Sequence, residues 1–212
     1  ATTWVLQMMQ NQGLLKNTMI PIFGGILLSF MFFYQFTHTT SLAQKILGDV
    51  HINQWISHFD QSMEGQNPWL RNYIAFTGLV GSIRPEIIYL EAMYDDNQTP
   101  LLGSQDYILK GTPPDCRYWS FVVYDFNNRR IEPYEETIAS FHRIELDENG
   151  QYEIIITDNL RKYPDQNAIS HAGNDFNIIM RIYGPKLSYY KNKSSVPVGS
   201  ILPSKEYVEL DN

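Results

Sequence analysis

The stretch Thr18–Phe36, "TMIPIFGGILLSFMFFYQF", runs for 19 residues without a charge. A bilayer core about 30 Å thick takes roughly 20 helical residues to cross. A single span in lipid has to be a helix, because only a helix bonds every backbone N–H and C=O within itself. Asn17 or Thr18 can cap that helix, and Pro21 falls in its first turn, where a missing N–H costs little. Gly24 and Gly25 offer a close-approach face, though a weaker one than a GxxxG pattern, and Ser29 can bond back to a carbonyl. The segment is apolar all round, unlike an amphipathic soluble helix. It is read as an uncleaved single-pass anchor. The rival reading is a cleaved signal peptide, for which Ser41–Ala43 supplies small residues near a cleavage point.

Charge supports a division of the chain. Up to Lys45 the only formal charges are Lys16 and Lys45 itself. Of 16 basic and 23 acidic side chains, 14 basic and all 23 acidic ones therefore lie beyond, an excess of nine negative charges. An acidic domain is a poor partner for nucleic acid or for an anionic membrane surface. Lys16 before the span favours an amino terminus on the inside, with the acidic domain on a periplasmic, lumenal or intermembrane side. The sequons at Asn97 and Asn192 fit that side, although Pro100 after the first disfavours glycosylation. The single cysteine, Cys116, excludes an internal disulfide and a thiolate metal cluster.

Beyond a polar link at His38–Ser41, two amphipathic helices are expected. In "DVHINQWISHFDQSM", Ile52, Trp55, Ile56, Phe59 and Met63 recur at helical spacing after a possible cap at Asp49. In "NPWLRNYIAFTGLVG", Asn67 caps, Pro68 leads, Trp69, Tyr73, Phe76 and Val80 form the stripe, and Gly78 or Gly81 ends it. From Arg84 the period changes to two, with strands expected over residues 86–93, 105–111, 117–126, 137–146, 151–157 and 176–185, and an edge strand over 205–210. Asn127-Asn128 and the "DENG" of residues 147–150 read as turns. The strand 117–126 does not alternate. Trp119, Phe121 and Val123 point one way, and Tyr118, Val122 and Tyr124 point the other. Its second face therefore needs a cover, from the preceding helices or from a partner.

The expected fold is mainly β: an antiparallel sandwich of jelly-roll type preceded by one transmembrane helix and two short amphipathic helices. Residues 1–44 form the tail and anchor, with the span at about 18–36, residues 45–83 the amphipathic helices, and 84–212 the sandwich with an irregular C-terminal tail.

From about Asn67 to Pro185 the chain resembles a family of bacterial proteins known as domain of unknown function 1214. The matching features are Arg71, Glu86, Tyr89, Leu102-Gly103 before Tyr107, Trp119-Ser120, Tyr124-Asp125, Glu148-Asn149-Gly150, Phe176, and Arg181 through Pro185. The resemblance implies a β-rich domain, often behind one N-terminal transmembrane helix, and no established activity. The chain departs from it at Asn167–Ser170, where the family usually reads Asn-Trp-Leu-Pro.

Chemistry is sparse. The five histidines are His38, His51, His58, His142 and His171, and only His51 and His58 share an element, at a spacing of seven rather than the three or four of a helical metal pair. Acidic pairs at Asp95-Asp96, Glu135-Glu136 and Asp147-Glu148 fall in expected turns. No nucleophile elbow, phosphate loop or dinucleotide fingerprint occurs. No catalytic residue, metal ligand or cofactor is therefore assigned. Asp125 and Arg181, each at a strand end, are the candidate ligand contacts or a structural pair, and Tyr118 and Tyr124 are the candidate partner-facing aromatics. The leading expectation is a non-catalytic accessory subunit of a membrane-associated assembly, such as a respiratory-type complex or a viral shell docked to a membrane. Its partners would be the lipid bilayer and other protein subunits, and not nucleic acid. The alternatives are a membrane-tethered module for a small molecule or glycan, and a hydrolase-like enzyme.

Overall fold

The computed structural model describes residues 15–38, 50–57, 59, 68–77, 86–126, 129–131, 137–139 and 144–204. The chain divides into two compact units, Ala1–Thr40 and Ser41–Asn212. In the first, a π-helical turn at Leu15–Met19 runs into helix α1, Ile20–His38. Its window Asn17–Tyr34 is long and apolar enough to cross a membrane, a property shared by anchors and signal sequences, and none of it is buried.

The second unit is mainly β. Its strands are β1 (Val50–Ile52), β2 (Trp55–Ser57), β3 (Ile87–Ala92), β4 (Tyr107–Gly111), β5 (Cys116–Asp125), β6 (Thr137–Ala139), β7 (Tyr152–Thr157), β8 (Ala168–Ser170), β9 (Phe176–Pro185) and β10 (Ser200–Pro203). They form a six-stranded sheet of order β1-β2-β3-β9-β5-β6 and a four-stranded sheet of order β10-β4-β7-β8. All pairs are antiparallel except β7 with β8, which is parallel.

The two sheets face each other across one apolar core. Ile88, Leu90, Phe121, Val123, Ile178, Met180 and Ile182 enter it from the six-stranded sheet, and Tyr107, Leu109, Tyr152, Ile154, Ile156 and Ile169 from the four-stranded one. Aromatic rings bridge the layers: Trp119 and Phe121 lie 5.0 Å and 5.5 Å from the Tyr152 ring, and within the six-stranded sheet Trp55 lies 6.1 Å from Phe121. Each such pair contributes about 1 kcal/mol beyond its buried area. The Trp119–Phe121–Val123 face of β5 is thus the inward one.

Three expectations need correction. The first is the helix expected over residues 49–63. Its described part is instead the hairpin β1–β2, closed by the register pair Ile52–Trp55. Asn53 takes φ 53°, a conformation that asparagine tolerates in two-residue hairpin turns. The helical spacing of Ile52, Trp55 and Ile56 was outweighed by burial: Trp55 is fully enclosed, and its indole N–H donates to the Gly199 carbonyl at 2.6 Å. Second, the expected second helix exists as α2, Pro68–Thr77, but Leu70 is its buried residue whereas Trp69 is exposed. Third, the tail is not irregular. Helix α3 (Ser188–Lys191), a 3-10 turn at Lys193–Ser195 and β10 place Tyr189, Val196 and Ile201 in the core. The short strand β8 was not expected at all.

Asp49, His58, Met63, Asn67, Gly78, Gly81, the Asn127-Asn128 turn, Ser140–Arg143 with His142, and the 205–210 edge strand lie outside the described residues. So do the side chains of Tyr73 and Phe76, and Val80.

Candidate functional site

The outer faces of the two sheets differ. On the four-stranded sheet the outer face carries the register pair Lys110–Glu153, an ion pair at 3.6 Å with both side chains exposed, beside the buried Ile155, Thr157 and Ser170. On the six-stranded sheet the outer face is covered: Ile87, Glu91, Ser120, Val122, Asn177 and Ile179 are all buried. Over these sit half-buried tyrosines and one arginine.

The register fixes their arrangement. Tyr89, Arg181 and Ser120 make one row across β3, β9 and β5. Ile87, Tyr183 and Tyr118 make the next row on one side, with the rings of Tyr118 and Tyr183 5.2 Å apart. On the other side come Glu91, Ile179 and Val122, then Asn177 with Tyr124. A guanidinium N–H of Arg181 donates to Tyr124 Oη, and the guanidinium carbon lies 5.8 Å from the centre of the Tyr124 ring. That contact passes over the apolar row of Val122 and Ile179. Beneath the same edge, Asn177 Nδ2 donates to Glu91 Oε1, which gives a buried carboxyl group a polar partner. The Arg181 Nε–H is buried and meets no acceptor.

Of the residues singled out from the sequence, Arg181, Tyr118 and Tyr124 come together here. Asp125 does not. Arg181 pairs in register with Ser120 and Asp125 with Phe176, so five positions, roughly 17 Å, separate them. Adjacent strand residues also point to opposite faces, which puts Asp125 on the side away from Arg181. Its carboxylate instead accepts the Arg129 N–H at 2.8 Å and closes the turn after β5. The reading of Asp125 and Arg181 as a structural pair is thereby corrected. Tyr89, Tyr183, Glu91 and Asn177 were not proposed from the sequence as site residues. Parity along β3 and β9 was the available signal, but it needs the strand register to be used.

A second polar region lies at the end of the sandwich, a recess of about 200 Å³ lined in part by Gln105, Asp106, Asp158 and Lys162. Lys162 Nζ stands 3.5 Å from Asp158 and 3.9 Å from Asp106, so the two carboxylates share one cation. His171, fully buried, stacks on Phe176 at 5.1 Å, and its Nδ1 accepts the Gly173 N–H at 3.1 Å. Burial lowers its pKa, so the imidazole is neutral at pH 7. It bonds to no serine or cysteine side chain among the described residues. Gly103 closes the same end. A Cβ there would fall 2.3 Å from the Gly173 carbonyl oxygen, so two loops meet backbone to backbone. Cys116, the one thiol, is pushed up to about 11 by burial, which keeps it protonated and unreactive at neutral pH. No group of three or more His, Cys, Asp or Glu side chains able to hold a metal occurs among the described residues.

Residues 86–187 match the family model described as "Protein of unknown function (DUF1214)". The domain belongs to this family. The match begins beside β3 and ends just past β9, so it includes the whole Arg181 row. A crystal structure of the VPA0106 protein from Vibrio parahaemolyticus shares the fold of the DUF1214 domain. It is 21% identical with a TM-score of 0.53, over 78% of this chain and 42% of that one. An uncharacterised protein from Burkholderia cenocepacia is 16% identical with a TM-score of 0.43, over 58% of this chain and 31% of that one. The chain thus spans less than half the length of either. No curated protein matches it. Asn167–Ser170, where the resemblance implies a different sequence, comprises Asn167 and the short strand β8. Ile169 is fully buried, and Asn167 ties residue 145 to β7 through bonds of 2.8 Å and 3.0 Å.

Proposed function

We propose that this chain is a non-catalytic, membrane-tethered binding module. Helix α1 holds it at a bilayer with the amino terminus inside and the β domain on the periplasmic, lumenal or intermembrane side. The outer face of the six-stranded sheet is the recognition surface for a small molecule or glycan. One observation carries this reading: Tyr89, Tyr118, Tyr124 and Tyr183 stand half-buried around Arg181 on that face, while the other sheet's outer face carries an exposed ion pair. Tyrosine supplies large contact area with a polar tip, the composition favoured at recognition surfaces. The second reading is an accessory subunit of a larger membrane-associated assembly, favoured by Trp69 and Leu187, which are 63% and 67% exposed.

Extraction of the full chain from its own membrane in mild detergent, followed by native mass spectrometry, tests the proposal. A small molecule or glycan retained by the wild type and lost from Tyr118→Ala, with melting unchanged within a few degrees, is the expected result. Bound subunits in its place would favour the accessory reading. An identical bound complement on wild type and Tyr118→Ala would reject the face as the recognition surface.

A further inference from the structure

Arg181 carries a permanent charge into a half-buried position with little to balance it among the described residues. A guanidinium has five N–H donors. One is engaged by Tyr124 Oη, and the Nε–H is buried without an acceptor. No carboxylate stands within ion-pairing distance among the described residues, although Glu91 lies only one row away on the same face. Burying a charge without a counter-ion is costly, and the cost disappears when an anion completes the site.

The surroundings narrow the anion. The guanidinium fork matches two oxygens of a carboxylate in a plane. The tyrosine rings beside it, Tyr89 in the same row and Tyr118 with Tyr183 in the next, offer apolar surface and hydroxyl tips suited to a flat ring. A net charge of −7 and the neighbouring Glu91 disfavour a second negative charge, as on a phosphate dianion or a polyanion. We infer that the Arg181 face binds a ring-bearing carboxylate, an aromatic or sugar acid. Arg181 holds the carboxylate and the tyrosines hold the ring. The inference rests on the reading of this face as a recognition surface and adds its ligand chemistry.

The test is isothermal titration of the full chain in non-ionic detergent at constant ionic strength. The probes are benzoate, glucuronate, glucose and inorganic phosphate. Benzoate or glucuronate binds about tenfold or more tightly than glucose and phosphate, since a charge-assisted contact is worth about 1.5–3 kcal/mol. Arg181→Gln loses about tenfold or more in affinity for the acid. Arg181→Lys, which keeps the charge but not the fork, falls between the two. A thermal melt of each variant confirms that it is folded, and Arg181→Lys carries the comparison if Arg181→Gln fails to fold. Failure of both acids to bind, tighter binding of phosphate, or affinity indifferent to both variants would overturn the inference. If Tyr118→Ala sheds the retained molecule while the acids fail to bind, the recognition face stands and the carboxylate chemistry falls.

Discussion

Tyr152 shows how a single atom can work against its surroundings. Its ring packs on Trp119 and Phe121, and its hydroxyl is fully buried beside two glycines with no hydrogen-bond partner among the described residues. Burial drives its pKa up, so the phenol stays neutral at any ordinary pH. An unsatisfied buried hydroxyl costs about 1–3 kcal/mol. Tyr152→Phe is therefore expected to raise unfolding free energy by about 1 kcal/mol, read as a higher urea midpoint at unchanged slope. A lower midpoint would mean that the hydroxyl has a partner. Asp125 and Arg181 teach a complementary lesson. Both looked functional at strand ends, but the fold brings only Arg181 to the tyrosine face. Residue type was legible in the sequence. The partner was not, because parity becomes geometry only when the register of β5 against β9 is known.

At the scale of elements, long strands were legible, and of the three-residue strands only β6 fell inside an expected one. β3, β5, β7 and β9 carry six to ten residues with apolar positions on the core face, and all fall where period-two patterning puts them. β1, β2 and β8 have three residues each, too few to express any period, and the apolar spacing of Ile52, Trp55 and Ile56 fits a helix equally well. What decides for the hairpin lies 144 positions away, in the bond from the Trp55 indole to Gly199. Gly199 also accepts Gln54 Nε2 at 3.1 Å, and a Cβ there would meet Leu109 Cδ1 at 2.4 Å and Tyr152 Oη at 2.9 Å. Gly199→Ala is expected to cost about 1–3 kcal/mol through overpacking. The loss should be accompanied by faster hydrogen exchange in Val50–Ser57, since the hairpin is anchored on that carbonyl. Unchanged stability would show that Leu109 yields easily.

For the molecule as a whole, the covered outer face of the six-stranded sheet answers the question raised by β5, whose two apolar faces are now accounted for. The Trp119 face packs on the second sheet, and the Val122 face lies beneath the Tyr124–Arg181 contact. The chain divides into two compact units at Thr40, so a chain beginning at Ser41 is expected to keep a β-rich spectrum and a cooperative melt. A broad, non-cooperative transition would tie α1 to the fold.

Arg181 is, on this reading, a charge retained for binding and not for stability. The melting temperature of full-length Arg181→Met in the absence of ligand tests this most directly. Methionine keeps the apolar stem and removes a half-buried charge that has no carboxylate partner among the described residues. The predicted result is a gain of about 1 kcal/mol, a rise of roughly 2–4 °C for a domain of this size. A fall of similar size would contradict it and would make the Arg181–Tyr124 contact a strut of the fold.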